Sequence, residues 1–273
     1  MSGGEAALRR DRFIILAALL MLIAAAWAYL FRLAAGMTMP SDMQDMSMPG
    51  MDMAGAMGLS VKPLDFTDAL LTFVMWFVMM VGMMGPAVTP TILLYARVGR
   101  MAALQQKPLA PAGWFAGGYF LAWAGFSLGA TAAQIGLRDA MLLTAMLKSA
   151  SDLLSGIALI IAGLYQWSPW KNACLAHCRA PLFFIQRHGG FRPGAGASLL
   201  LGVRHGLYCI GCCWALMLLL FVGGVMNIAW IAGLAVLVLA EKLWRQGRHL
   251  SRIAGVVAFA GGLFLIVRYF GGW

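Results

Sequence analysis

Five cysteines and three of the four histidines in this 273-residue chain lie between residues 174 and 213. Thiolates and imidazoles bind soft or borderline metal ions such as Cu(I) and Zn(II), and thiolates also hold iron–sulfur units. Seven of these eight residues form two groups, one just before a long apolar stretch and one inside it: Cys174, His177 and Cys178, then His205, Cys209, Cys212 and Cys213. Their types and closeness predict a metal site.

Helical spacing places each group on one face. At about 100° per residue, the three cysteines of the second group lie within about a quarter of the helix circumference from His205. If the first group is helical, its members share a face at i, i+3 and i+4, and Pro181 ends that helix soon afterwards. The spacing leaves open whether the two groups form one site, and it lacks the paired C-x-x-C pattern of a zinc ribbon.

Other roles for the cysteines remain open. Buried cysteines often serve as small apolar side chains, which suits a structural or assembly protein of the membrane. Structural disulfides are disfavoured because the inner side of the membrane is reducing. A membrane thiol–disulfide oxidoreductase exchanging electrons with quinone would cycle Cys209 and Cys212 between dithiol and disulfide. We favour a metal-binding protein that is not an enzyme, with the oxidoreductase as the alternative.

A polar segment near the N-terminus is rich in methionine. Residues 36–58 read GMTMPSDMQDMSMPGMDMAGAMG, in which Pro, Gly, Ser and Asp separate the methionines and predict a loop. Thioether is a soft ligand that suits Cu(I) in an oxidising compartment. The residues of this outer capture site are Met37, Met39, Met43, Met46, Met48, Met51, Met53 and Met57. A sticky linker or a lipid-surface loop is the alternative.

A second set of methionines follows in MWFVMMVGMMGPAVTP. In a helix they form two neighbouring stripes, the first at i, i+4 and i+8. The members are Met75, Met79, Met80, Met83 and Met84. Such stripes commonly serve packing. Their position between the outer loop and the cysteines also predicts a ligand-exchange path for a soft cation.

The composition places these residues in a membrane protein. Hydrophobic residues make up 62% of the chain and charged residues 11%, against roughly 45–50% and about 25% in soluble domains. We expect an all-α polytopic fold with about seven transmembrane helices. The candidate stretches are 13–35, 67–96, 113–136, 143–166, 200–223, 227–241 and 253–270. The sixth is short, so six spans are the alternative.

Basic residues set the expected orientation. With a cytoplasmic N-terminus, fifteen of the 20 Lys and Arg residues fall on the inner side. The net charge of +10 then reflects topology in a bacterial inner membrane and does not indicate a nucleic-acid partner. We expect an uncleaved anchor helix over 1–35, a Met-rich periplasmic loop over 36–65 and a helical metal-binding membrane domain over 66–273.

Two further features concern packing. Small residues suit close helix contacts in the third span: Gly117, Gly118, Ala122, Gly125 and Gly129. Glu241 and Lys242 end the sixth span, and we expect them to pair at the inner surface.

Three segments resemble a family of bacterial proteins labelled predicted metal-binding integral membrane proteins, sometimes called copper chaperones. They are MWFVMMVGMMGPAVTP with LLYAR, YQWSPWKNACLAHCRAP, and GVRHGLYCIGCCWALMLLLFVGGVMN with LAEKL, within about residues 70–245. The resemblance implies a helical membrane fold and a metal site at the five cysteines. It implies little about activity, and the Met-rich loop lies outside it.

Taken together, these patterns predict a membrane protein that binds a soft metal and delivers it or carries it across the bilayer. Cu(I) is the favoured metal because both thiols and thioethers are present, with zinc or iron as alternatives. The expected partners are the lipid bilayer and a periplasmic or membrane metalloprotein client. No nucleotide-binding loop or aspartyl-phosphate motif is present in the sequence.

Overall fold

The computed structural model describes residues 3–37, 66–106, 109–144, 147–149 and 151–271, and these residues are mainly helical. The described helices are α1 (Gly3–Met37), α2 (Phe66–Leu104), α3 (Ala112–Asp139), α4 (Asp152–Trp167), α5 (Pro169–Arg179), α6 (Pro181–Arg187), α7 (Ala195–Leu218), α8 (Leu220–Gly223), α9 (Ile228–Leu243) and α10 (Gly247–Gly271). The expected all-α fold is confirmed for this part of the chain.

Five described helices are long and apolar enough to cross a membrane. They cover Arg12–Ala35, Phe66–Leu104, Ala112–Asp139, Ala195–Gly223 and Gly247–Gly271. Helices α4 and α5 qualify together as a sixth span, broken by a bend of 65°. Seven spans are therefore not confirmed, and the upper count matches the alternative of six. The predicted span that is missing from the upper count is helix α9, because its 16 residues extend only about 24 Å.

The stretch predicted to span the membrane over 143–166 becomes helical only at Asp152. Met141 and Leu147 adopt left-handed backbone angles, with φ of 55° and 53°, which a helix does not accommodate. Helix α4 then starts where the Ser151 hydroxyl accepts a hydrogen bond from the Leu153 amide at 3.2 Å. The described residues of this stretch before Asp152 are therefore not helical, although their apolar composition predicted a helix.

Helices α3 and α7 cross at glycines. A Cβ at Gly118 would overlap the Leu199 carbonyl, and one at Gly202 would overlap the Phe115 carbonyl, so neither position accepts a side chain. This close approach agrees with the small-residue pattern predicted for the third span. The prediction was wrong for three of its members, because no atom lies within 4 Å of a Cβ at Gly117, Gly125 or Gly129.

The outer surface of the helices is apolar. Phe13, Val257 and Phe264 are 73%, 67% and 64% exposed, on α1 and α10. Large exposed apolar side chains spread over long helices are typical of a surface that meets lipid. Antiparallel helices α4 and α10 pack closely, and Arg268 of α10 pairs with Asp152 at one end of this contact.

Candidate metal centre

Helix α7 carries three cysteines whose side chains all face the interior. Cys209, Cys212 and Cys213 are only 2%, 1% and 1% exposed, so the predicted common face is confirmed. The thiols of Cys212 and Cys213 each donate to the Cys209 carbonyl, with sulfur–oxygen distances of 3.0 Å. Both sulfur atoms therefore point back along the helix toward Cys209.

The first cysteine group lies on α5, as the spacing predicted. Ser168 begins this helix by accepting a hydrogen bond from the Trp170 amide at 3.1 Å, and Pro169 occupies the first turn. The helix ends at Arg179, and Pro181 then starts α6. The bend before α5 turns it away from α4 and lays it against α7.

Helix α5 brings Cys178 into the thiol group of α7. Its thiol lies close to the thiols of Cys209 and Cys212, so four sulfur atoms from two helices lie near one another. We call Cys178, Cys209, Cys212 and Cys213 the thiol cluster. Cys174, one turn earlier on α5, is partly exposed and sits against Gly211, where a Cβ would be 2.9 Å from its sulfur. The two sequence groups thus form one assembly.

Two further side chains contact the thiol cluster from other helices, and a third contacts one of these two. The Lys242 ammonium of α9 donates to the Cys209 sulfur at 2.8 Å, and the Tyr119 hydroxyl of α3 lies 2.9 Å from the same sulfur. Lys242 also approaches the Met84 sulfur of α2 at 3.8 Å. The cluster and these three neighbours therefore come from five helices. The neighbours supply a thioether sulfur, a phenol and a buried cation.

The expected pairing of Glu241 with Lys242 was wrong. Glu241 pairs instead with Lys171 at 2.7 Å and accepts from Gln166 at 3.1 Å. Adjacent residues of a helix point about 100° apart, so the side chains of Glu241 and Lys242 do not face each other. Lys242 is 6% exposed. The sequence signal for a functional role of Lys242 is a charged residue within an apolar stretch.

Two predicted ligand histidines lie near the cluster without joining it. The His205 ring is buried against Phe184 and Tyr119, at centroid distances of 4.9 and 5.9 Å. His177 stacks on Tyr208 at 4.4 Å. In the described part of the chain, His205 Nδ1 and His177 Nε2 are buried without a hydrogen-bond partner. Such nitrogens retain the capacity to bind a proton donor or a metal.

A third histidine belongs to the same aromatic group and was not predicted. The His188 Nε2 atom lies 3.3 Å from the Tyr208 hydroxyl, and its ring is 6.0 Å from that of His177. Its position eleven residues after His177, beyond the break at Pro181, gives no helical periodicity by which the sequence could associate the two.

The described residues contain no set of three or more Cys, His, Asp or Glu side chains already arranged to hold a metal ion. The thiols lie near one another, but their described contacts are with other protein groups: Lys242, Tyr119 and the Cys209 carbonyl. Rotation of the cysteine side chains is therefore needed to aim the sulfur atoms at a common ion. All five cysteines are free thiols, so each is available for that rotation.

The predicted methionine path is a buried stripe on α2. Exposure is 5% at Met75 and at most 1% at the other four methionines, so all pack in the core. Of these, Met84 has a described polar contact, the one with Lys242. In the Met-rich segment, Met37 is the last residue of α1 and its side chain lies outside the described residues. The other seven methionines, from Met39 to Met57, also lie outside them.

Fold and site together define an all-helical protein with several membrane-length helices and a buried thiol cluster beside a thioether and an ammonium group. A family model, PpoB2, described as copper chaperone, matches residues 73–265. The chain belongs to this copper chaperone family. The match covers all five cysteines and the α2 methionines. Neither a curated protein nor a solved structure matches the chain.

Proposed function

We propose that this protein binds Cu(I) at the thiol cluster and passes it through the membrane domain to a metalloprotein client. The observation that carries the proposal is the meeting of Cys178 with the cysteines of α7, beside the thioether of Met84. Soft sulfur donors in this density select Cu(I) over the harder ions that oxygen ligands prefer.

The donor set favours Cu(I) over zinc. Four cysteines are also the ligands of many structural zinc sites, so the preference for Cu(I) rests on the Met84 thioether near the thiols. A soft monovalent ion needs fewer donors, and a set of rotatable thiols suits an ion that must be released again. His205 and His177 retain free buried nitrogens nearby and would serve as additional or transient ligands.

The path follows from the order of the donors. The Met84 sulfur and the Cys209 sulfur both contact the Lys242 ammonium, so α2 supplies the next soft donor beyond the thiol cluster. With the orientation expected from the basic residues, the thiols lie toward the cytoplasm and the Met-rich segment lies in the periplasm. The protein would then act in a bacterial inner membrane without catalysing a reaction.

The test is the metal content of protein purified in detergent under reducing conditions, after expression with copper, zinc and iron supplied. We expect stoichiometric copper in the wild type and its loss in the double variant Cys209→Ser/Cys212→Ser. Met217→Leu is the matched control, since Met217 is equally buried on α7. Unchanged copper in the double variant would contradict the site. Metal-free protein with thiols that cycle to a disulfide would favour the oxidoreductase.

A further inference from the structure

We propose that Lys242 is a charge filter that restricts the thiol cluster to a monovalent ion. The inference rests on the proposed function and concerns which ions the same site accepts. The inference is based on the position of the Lys242 ammonium group. The Lys242 nitrogen lies 2.8 Å from the Cys209 sulfur and 3.8 Å from the Met84 sulfur, between a thiol and a thioether.

The positive charge of Lys242 is not neutralised by a carboxylate. Glu241, the nearest acid in the chain, forms its ion pair with Lys171. Across the described residues, the ion pairs are Lys171–Glu241 and Arg268–Asp152, and neither includes Lys242. The groups that face the ammonium are sulfur atoms and, through Cys209, the Tyr119 hydroxyl.

Burial makes this charge effective. Lys242 is 6% exposed and Cys209 is 2% exposed, so bulk salt screens their surroundings far less than it screens a surface charge. An ion bound to the Cys209 sulfur lies within a few ångströms of the ammonium or must push it aside. The ammonium offsets part of the attraction that the thiolate ligands exert on a bound cation, and this offset is twice as large for a divalent cation as for a monovalent one.

Zn(II) and Cu(I) both bind thiolates, and ligand softness alone separates them incompletely. A fixed cation at the cluster adds a second criterion, which is charge. The structure thus assigns two roles to neighbouring residues of α9. Glu241 neutralises Lys171 and stabilises the fold, whereas Lys242 sets the charge of the site.

The filter is tested by competition in detergent, with a chromogenic chelator for Cu(I) and a fluorescent one for Zn(II), on the metal-free, reduced protein. Lys242→Leu removes the charge and adds no soft donor beside the thiols. We expect it to lower the Cu(I)-over-Zn(II) preference by at least about tenfold. Lys242→Arg retains the charge and should keep that preference within about threefold of the wild type.

Two results would overturn the filter: an unchanged preference in Lys242→Leu, or an equal fall in Lys242→Arg. If Lys242→Leu does not fold, Lys242→Gln provides a neutral polar replacement with the same expected result. Binding of both ions by every variant at wild-type ratios contradicts the filter alone. A wild-type protein that binds neither ion contradicts the proposed function and, with it, the filter.

Discussion

The ammonium of Lys242 donates to the sulfur of Cys209 at 2.8 Å, and both side chains are buried. The contact joins α9 to α7, so one interaction serves helix packing and also determines the charge at the thiol cluster. An ammonium removed from water needs compensating partners, and here sulfur atoms provide them. Any ion that enters the cluster must replace or share this interaction.

The buried pair of Lys171 and Glu241 should dominate the stability of the α5–α9 contact. Lys171→Met leaves the Glu241 carboxylate, which is 1% exposed, without its partner at a cost of about 3–5 kcal/mol. Arg268→Met is the control, because its pair with Asp152 is half-exposed and contributes about 0–1 kcal/mol. Thermal unfolding in detergent measures both variants. Equal shifts in the two would contradict the assignment.

The α3–α7 crossing should tolerate no side chain at Gly118. Gly118→Ala places a methyl group on the Leu199 carbonyl and should cost at least about 1–3 kcal/mol through forced separation of the helices. Gly117→Ala is the neighbouring control, since a Cβ there has no atom within 4 Å. Thermal unfolding should show loss of stability for the first variant only. A similar loss for both would contradict the crossing, because Ala favours the helix over Gly and propensity alone would raise stability.

The two cysteines of α5 should differ in importance. Both are partly exposed, but Cys178 lies close to the Cys209 and Cys212 thiols of α7, whereas Cys174 lies beside Gly211. Loss of a direct ligand should lower the metal affinity by more than the roughly tenfold decrease that follows when a residue behind a ligand is changed. Cys178→Ser should therefore weaken Cu(I) binding by more than Cys174→Ser, as measured by chelator competition. The reverse order would place the bound ion nearer the surface of α5.

Met84 should matter for transfer in a way that Met75 does not. Both are buried on α2, and the Met84 sulfur has the described contact with Lys242. Met84→Leu preserves packing and removes the soft donor, so it should slow Cu(I) passage through proteoliposomes by at least about threefold. Met75→Leu should leave the rate unchanged. Matching rates in all three proteins would reduce the methionine stripe to packing.

Local periodicity predicted the parts of the site that lie within one helix. The common face of Cys209, Cys212 and Cys213 follows from rotation per residue within a helix, and the shared spacing of Cys174 and Cys178 followed on the condition that their segment is helical. The meeting of Cys178 with α7 did not follow, because it depends on the 65° bend that turns α5 back against the bundle. Tertiary packing decides such contacts.

Hydropathy identified the apolar stretches of the sequence, but it did not show which residues in them are helical. Met141 and Leu147 are as apolar as their neighbours, yet both have left-handed backbone angles in a non-helical connection. Composition reports a preference for an apolar environment and does not report conformation. The partner of Lys242 was unpredictable for a related reason: it depends on which way one side chain of α9 faces, and the nearest acid in sequence pairs elsewhere.

X-ray absorption at the copper edge of the copper-loaded, reduced protein tests the central claim most directly, since it identifies the atoms bound to the metal. The account predicts Cu(I) with sulfur neighbours, and the loss of bound copper in Cys209→Ser/Cys212→Ser. A Cu(I) spectrum with only nitrogen or oxygen neighbours, unchanged in that double variant, would contradict binding at the thiol cluster.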